Sequence, residues 1–500
     1  MSEKFTKLKS LISEVTDLNA AQALLEWDQQ TYMPSGGAEV RGHQLATLGS
    51  LTHQKFTAEE VGILIEDLKK EFASADVDSD DARYLKVLSK DYDKATKIPS
   101  EYVAEFTRLT AQGHESWAKA REASDFSIFQ ADLEKIVDMR KEYVGFFPPA
   151  DHPYDTLLDE FEPGMKTAEV QEIFGVLRER QVELLKNIAD AKQVDDSFMH
   201  VNYPEKQQWD FGVEVAPAFG YDWKRGRQDK SVHPFTTSFG ISDVRITTRF
   251  MEDFFPSALF GTMHEAGHGL YEMGVNQAYE RTPLNSGASL GVHESQSRLW
   301  ENLVGRSMPF WEHFYPRLQE TFPTQLGNIA LPNFYNGINK VEPSLIRVEA
   351  DEATYNMHIM LRLELEIAMI EGSVAIKDLP ELWKSKFEEY LGITPPDDAQ
   401  GVLQDIHWSF GGLGYFSTYA LGNLISVQLW EKINEAIPDL DEQLRQGKFG
   451  ALLNWLRENI HIFGRKYEPQ ELVQKVTGSK ITPEPYLRYL EGKYSEIYGL

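Results

Sequence analysis

Residues His264-Glu265-Ala266-Gly267-His268 place two imidazoles four positions apart, with a carboxylate directly after the first. On a helix such positions share one face, with Cβ atoms about 6 Å apart, so both rings can converge on one metal ion. Glu265 is turned about 100° from His264, beside such an ion rather than bound to it. From there it can take a proton from an activated water, the chemistry of a metal-dependent hydrolase. A catalytic metal needs a third protein ligand. Position 274, where a further histidine would extend the motif, is glycine. Glu272 lies about 12 Å along the helix axis from His264, too far to share one ion. The ligand therefore has to come from a following element. Glu294, in Val292-His293-Glu294-Ser295-Gln296, begins the next helical stretch and is favoured. His293 is the alternative, and its side chain points elsewhere if Glu294 faces the metal.

The elements that hold these residues are legible around them. Pro256 suits the first turn of a helix, Leu259, Phe260 and Met263 supply its apolar face, and Gly274 can end it. Gly261, Gly267 and Gly269 each cost that helix up to about 1 kcal/mol, a cost that fits a close approach of backbone or substrate. Upstream, 57–146 carries apolar residues three and four apart among many charges, as long amphipathic helices do. A Pro-rich loop at 145–155, a second helical block over 166–194 and a polar connection at 195–205 follow. The exception is 229–250, rich in Thr, Val, Ile and Phe with a turn at 240–243, which predicts a β-hairpin or part of a small sheet. Helix then dominates from Pro256, with breaks near 320–343, 394–401 and 477–485. The expected fold is mainly α, one catalytic unit over 1–500 with a single small sheet. A division into lobes of about 1–200 and 201–500 is the candidate organisation.

Composition narrows the chemistry. The 500 residues include no Cys, which removes disulfides, thiolate zinc sites, iron–sulfur clusters and a cysteine nucleophile. Any metal must sit on His, Asp and Glu. A formal charge of −28 repels phosphate backbones and anionic lipid, so nucleic acid is an unfavoured partner. No apolar run is long enough to span a bilayer. The first residues carry Phe5, Leu8, Leu11, Ile12 and Val15 at helical spacing between charges, unlike a signal peptide. These features lead to the expectation of an acidic cytoplasmic protein.

Six ordered motifs resemble the M32 family of metallocarboxypeptidases, the thermostable carboxypeptidase Taq type. They are His233-Pro234-Phe235; Asp243-Val244-Arg245-Ile246-Thr247; the 264–268 motif; His293-Glu294-Ser295-Gln296; Ile346-Arg347 through Ala350-Asp351-Glu352; and Gly401 through Gln404-Asp405-Ile406-His407-Trp408. The segment from Leu24 is also similar to the family's N-terminal region. The resemblance implies one zinc (or cobalt) per chain on His264, His268 and Glu294, with Glu265 as general base and acid. It implies release of single C-terminal residues from peptides with broad side-chain tolerance and poor action on a terminal proline. It also implies a helical, saddle-like fold with a deep groove, as a homodimer.

A carboxypeptidase must hold a free α-carboxylate, and in so acidic a protein this calls for a local cation with a bidentate fork. Arg347, at the start of a helical run that ends at Gly372 and within the resembling motif, is the first choice. The plainer reading is an intrahelical pair with Asp351, worth about 0.3–0.5 kcal/mol. Arg245 in the hairpin is the less favoured second clamp. The segment from His407 to Tyr419 is similar to the His/Tyr segment of the wider zinc oligopeptidases. That likeness implies Tyr419 as donor to the oxyanion, with His407 and Tyr415 touching substrate; packing in the core is the competing role. His233, held extended before Pro234, is expected to line the groove beside an edge strand able to pair with substrate. Asp243 and Glu301 are candidates to orient a ligand imidazole. The rival functions are an oligopeptidase with the same metal chemistry and a non-catalytic peptide binder that keeps a structural zinc.

Overall fold

The computed structural model describes residues 2–500. It opens with helices Glu3–Thr31, Ala38–Phe56, Glu59–Glu71 and Asp80–Lys97. Phe5, Leu8, Ile12, Val61, Leu64, Leu68, Tyr84 and Leu88 from this bundle form a small core that also takes in Ile241, Val275 and Tyr279. A much larger core begins at Tyr102 and runs to Tyr498. Helices Ser100–Ala123, Ser127–Gly145 and Thr167–Asp190 thus share one apolar interior with all that follows. The fold is mainly α with one small sheet, and no helix among the described residues is long and apolar enough to cross a membrane.

The sheet has three strands, β1 (Gly226–Lys230), β2 (Thr236–Gly240) and β3 (Asp243–Thr248), in the order β1-β3-β2. The hairpin expected from the sequence is β2–β3, antiparallel, with Thr236 opposite Ile246. β1 pairs parallel with β3. Its sequence, Gly-Arg-Gln-Asp-Lys, carries no strand propensity; pairing to β3 and side-chain contacts make it a strand, which is why only part of it was expected. The N-terminal helix is tied to the sheet through Trp27, whose ring lies under Arg245 at 4.4 Å and Arg227 at 5.3 Å.

Helix Pro256–Gly274 starts and ends where the sequence indicates, with Pro in the first turn. It is buried on most faces, by Leu259, Phe260, Met263, Ala266 and Leu270 among others, so its polar motif lies in the interior. It packs against β3 and against helix Leu290–Arg298, whose first turn is capped by Ser289 Oγ accepting from Val292 N–H at 3.0 Å. The buried Glu162 carboxylate accepts from Gly291 N–H at the same end. Past Arg298 the chain continues as a π-helical turn, Leu299–Val304. Helix Ser417–Ala436 lies across Leu290–Arg298 on its other side.

Candidate metal centre and the residues around it

The close crossing of these three helices depends on two glycines. A Cβ at Gly267 would stand 2.7 Å from Gln296 O and Ser297 Cα, and one at Gly422 would stand 2.6 Å from Cβ and Cγ of Glu294. Such contacts leave room for hydrogen alone. Gly422→Ala is therefore expected to push Glu294 out of position. Overpacking of this kind costs about 1–3 kcal/mol, and a lower melting temperature together with weaker metal retention on equilibrium dialysis checks it.

His264, His268 and Glu294 each offer one ligand atom, and these atoms lie within 4.8 Å of one another. Glu294 Oε2 faces His264 Nε2 at 3.6 Å and His268 Nε2 at 3.5 Å. The other carboxylate oxygen is occupied, since Arg298 Nε donates to Glu294 Oε1 at 2.7 Å. The far nitrogens of both rings are engaged as well. His264 Nδ1 lies 2.8 Å from Glu301 Oε2, and His268 Nδ1 lies 2.7 Å from His293 Nδ1. Two imidazoles and one carboxylate, each with its outward atom held and its inward atom facing a common point, make a donor set that fits a divalent cation such as zinc.

Of the two candidates to orient a ligand ring, Glu301 does so from the π turn, with Arg298 Nη1 donating to it at 3.2 Å. Burial raises the Glu301 carboxyl, but the charges of Arg298 and His264 outweigh it and hold the pKa at about 2. Asp243 does not reach a ligand: its carboxylate takes Arg245 Nε and Nη2, both at 2.9 Å. That pairing also neutralises Arg245, which stacks between Trp27 and Phe239. His293 turns away from the shared point, as its place beside Glu294 requires, and its Nε2 meets Glu272 Oε1 at 2.7 Å.

Glu265 is 5% exposed, and Thr236 Oγ1, at the start of β2, donates to its Oε2 at 2.6 Å. Burial raises this carboxyl above the ordinary glutamate range. Thr236 carries no motif and was not singled out from the sequence. His233 is exposed in the loop between β1 and β2.

The third group gathers around Tyr419. Its hydroxyl lies 3.4 Å from His407 Nε2, its ring centroid is 5.5 Å from that of Tyr415, and the Arg347 guanidinium sits 4.9 Å from the ring. Burial drops the His407 pKa to about 3, so the ring is neutral, and burial raises the Tyr419 phenol well above its usual value. Arg347 itself departs from the expected local structure. It lies in a short 3₁₀ turn, Arg347–Glu349, and the α-helix starts only at Tyr355. Asp351 cannot pair with it as an i+4 neighbour, because its carboxylate accepts Ala353 N–H, Thr354 N–H and Glu342 N–H. Arg347 instead binds Asp405, through Nε at 3.0 Å and Nη2 at 2.8 Å, and donates from Nη1 to Tyr355 Oη at 2.8 Å. Of the five N–H bonds of a guanidinium these use three, which leaves two.

Two buried groups that no motif announced hold this cluster. Arg362 Nε donates to Asp405 Oδ2 at 2.7 Å, so two guanidiniums share one carboxylate and the assembly keeps a net positive charge. Glu366 accepts from Tyr154 Oη–H at 2.6 Å, Trp408 Nε1–H at 2.8 Å and Gly414 N–H at 2.9 Å, which fixes the glycine-rich turn before Tyr415. The metal and cationic groups are also linked: Tyr355, which takes Arg347, lies under Arg298 at 4.4 Å, and Arg298 holds Glu294.

A buried HExxH helix, a glutamate from the next helix and a positive cluster beside them are the features of a metal-dependent peptide hydrolase. The chain belongs to the carboxypeptidase Taq (M32) metallopeptidase family, whose model matches residues 7–494. It is 42% identical over 496 residues to thermostable carboxypeptidase 1 of Thermus thermophilus, covering 97% of each chain. To carboxypeptidase 1 of Bacillus subtilis it is 38% identical, covering 98% of each. Among solved structures, the M32 carboxypeptidase of Deinococcus radiodurans superposes with a TM-score of 0.96 at 41% identity, covering 100% of both chains. The protein is thus a peptide hydrolase of a carboxypeptidase family that works with a divalent metal.

Proposed function

We propose that the protein is a zinc-dependent carboxypeptidase that releases single C-terminal amino acids from peptides with broad side-chain tolerance, cobalt being the alternative ion. The observation that carries this reading is the convergence of His264 Nε2, His268 Nε2 and Glu294 Oε2 beside the buried carboxylate of Glu265. When bound on these three residues, the ion supplies Lewis acidity toward the scissile carbonyl and lowers the pKa of water. Glu265, held by Thr236, takes the proton of the attacking water and hands it to the leaving amine. Tyr419 donates to the oxyanion, and neutral His407 fixes the phenol from its far side. Tyr415 and His233 face the peptide upstream. The net positive charge shared by Arg347, Arg362 and Asp405 attracts the terminal carboxylate, for which Arg347 keeps two free N–H bonds; Arg245, whose charge Asp243 balances, stays the less favoured second clamp.

The test is a defined decapeptide incubated with purified protein, with and without chelator and with Zn²⁺ or Co²⁺ restored, and read by mass spectrometry. A ladder shortened one residue at a time from the C-terminus, abolished by chelator and restored by metal, is expected. Internal fragments would move the enzyme to the oligopeptidases, and no cleavage with any metal would end the catalytic reading. A cytoplasmic homodimer belongs to the same reading and rests on the family resemblance and the acidic, cysteine-free composition; a monomer in sedimentation would remove the dimer from it.

A further inference from the structure

We propose that His293 is a positioning residue that fixes the proton on His268, with Glu272 as the anionic end of a three-member relay. This deepens the metal reading of the same site and rests on it. His268 Nδ1 lies 2.7 Å from His293 Nδ1, and His293 Nε2 lies 2.7 Å from Glu272 Oε1. Two ring nitrogens at that distance share one proton. An ionised carboxylate only accepts, so His293 donates from Nε2 to Glu272. With its proton on Nε2, His293 presents a bare Nδ1, and the shared proton belongs to His268 Nδ1. That leaves His268 Nε2 without a proton, and this is the nitrogen that faces Glu294 Oε2 at 3.5 Å.

The relay is assembled from two helices. His268 and Glu272 stand four apart on Pro256–Gly274, and His293 comes from Leu290–Arg298, next to Glu294. Adjacent positions on that helix therefore serve the same ion from opposite sides, Glu294 inward and His293 from behind the ring of His268. Tyr271 packs on His293 with centroids 5.0 Å apart, and its hydroxyl accepts from Ala288 N–H at 3.1 Å, which holds the ring in place. His264 is backed differently, by the Glu301 carboxylate in direct contact. A ring stands between His268 and its carboxylate, so the two imidazoles are unequal donors: His264 carries the stronger anionic support, and the tautomer of His268 depends on that of His293.

Zn²⁺ alone is the probe. Its affinity for the full-length protein is measured by chelator competition at neutral pH, with melting of the metal-free form recorded alongside. His293→Gln keeps an amide oxygen for His268 Nδ1–H and an N–H for Glu272, and is expected to bind Zn²⁺ within about threefold of the parent. His293→Leu offers neither and is expected to bind about 10–100-fold more weakly, with Glu272→Gln in between. Long-range ¹H–¹⁵N spectra of histidine-labelled, metal-free protein should show His268 protonated at Nδ1 and His293 at Nε2. A His293 protonated at Nδ1, or His293→Leu with affinity within about twofold of the parent, overturns the relay. If His293→Leu does not fold, the spectra and Glu272→Gln decide the matter. A parent protein that binds no Zn²⁺ overturns the metal reading instead, and the tautomer spectrum still judges the relay.

Discussion

Glu265→Gln is expected to retain one Zn²⁺ per chain and to lose about 10²- to 10⁴-fold in kcat, the range a general base contributes. The amide has the shape of the carboxylate, and its oxygen can still accept from Thr236 Oγ1, which lies 2.6 Å from Glu265 Oε2. Residue 265 points beside the imidazoles and supplies none of the three converging ligand atoms. The substitution therefore removes proton acceptance and little else. Metal content by atomic absorption and the rate of C-terminal residue release on one preparation check it. Activity within about tenfold of the parent would remove Glu265 from the base role.

Arg347→Lys is the second large effect. Lysine keeps the charge beside Asp405 but cannot reproduce the planar fork. Charge-assisted hydrogen bonds of this kind are worth about 1.5–3 kcal/mol, so kcat/KM on free-acid peptides should fall about 10- to 100-fold. The control is internal. A C-terminally amidated peptide lacks the carboxylate, and its slow cleavage should change little. Equal losses on both substrates would mean that Arg347 acts only by holding Asp405 and Tyr355 in place, and the clamp would have to be sought elsewhere.

Local sequence made the candidate metal centre legible because its logic is local. The spacing of His264 and His268 is a helical period, Pro256 and Gly274 bound the helix, and the turn at 240–243 joins β2 to β3. Glu294 belongs to the next α-helix, Leu290–Arg298, which the same local signals announce. Long-range pairing was not accessible in the same way. Asp405 and Arg347 are 58 positions apart, and Thr236 and Glu265 are 29 apart. Neither pair has a period or a composition signal to announce it. The run from Ile346 to Gly372 misled for a related reason. Its apolar spacing suits a helix throughout, but Asp351 accepts the backbone N–H groups of Ala353 and Thr354 and so closes a separate turn at 352–354 ahead of the helix. The helical start thus moves to Tyr355, and Arg347 is freed to turn toward Asp405. Glu366 was invisible because nothing distinguishes a buried acceptor from a surface glutamate in an amphipathic segment.

The π-helical turn at Leu299–Val304 has a consequence for how this site tolerates change in length. A π turn holds one residue more than the α turn it replaces. Loss of any single residue before Glu301 in that stretch would restore ordinary winding and swing position 301 by about 100°. Glu294, upstream, would keep its phase, while the carboxylate now at His264 Nδ1 would face another direction. One continuous rod thus offers Glu294 to the candidate metal centre and, seven residues on, Glu301 to the outer nitrogen of His264, with the surplus residue carried in the turn around Glu301. Substitutions there are open to selection one at a time, but a deletion has to be answered by an insertion close by.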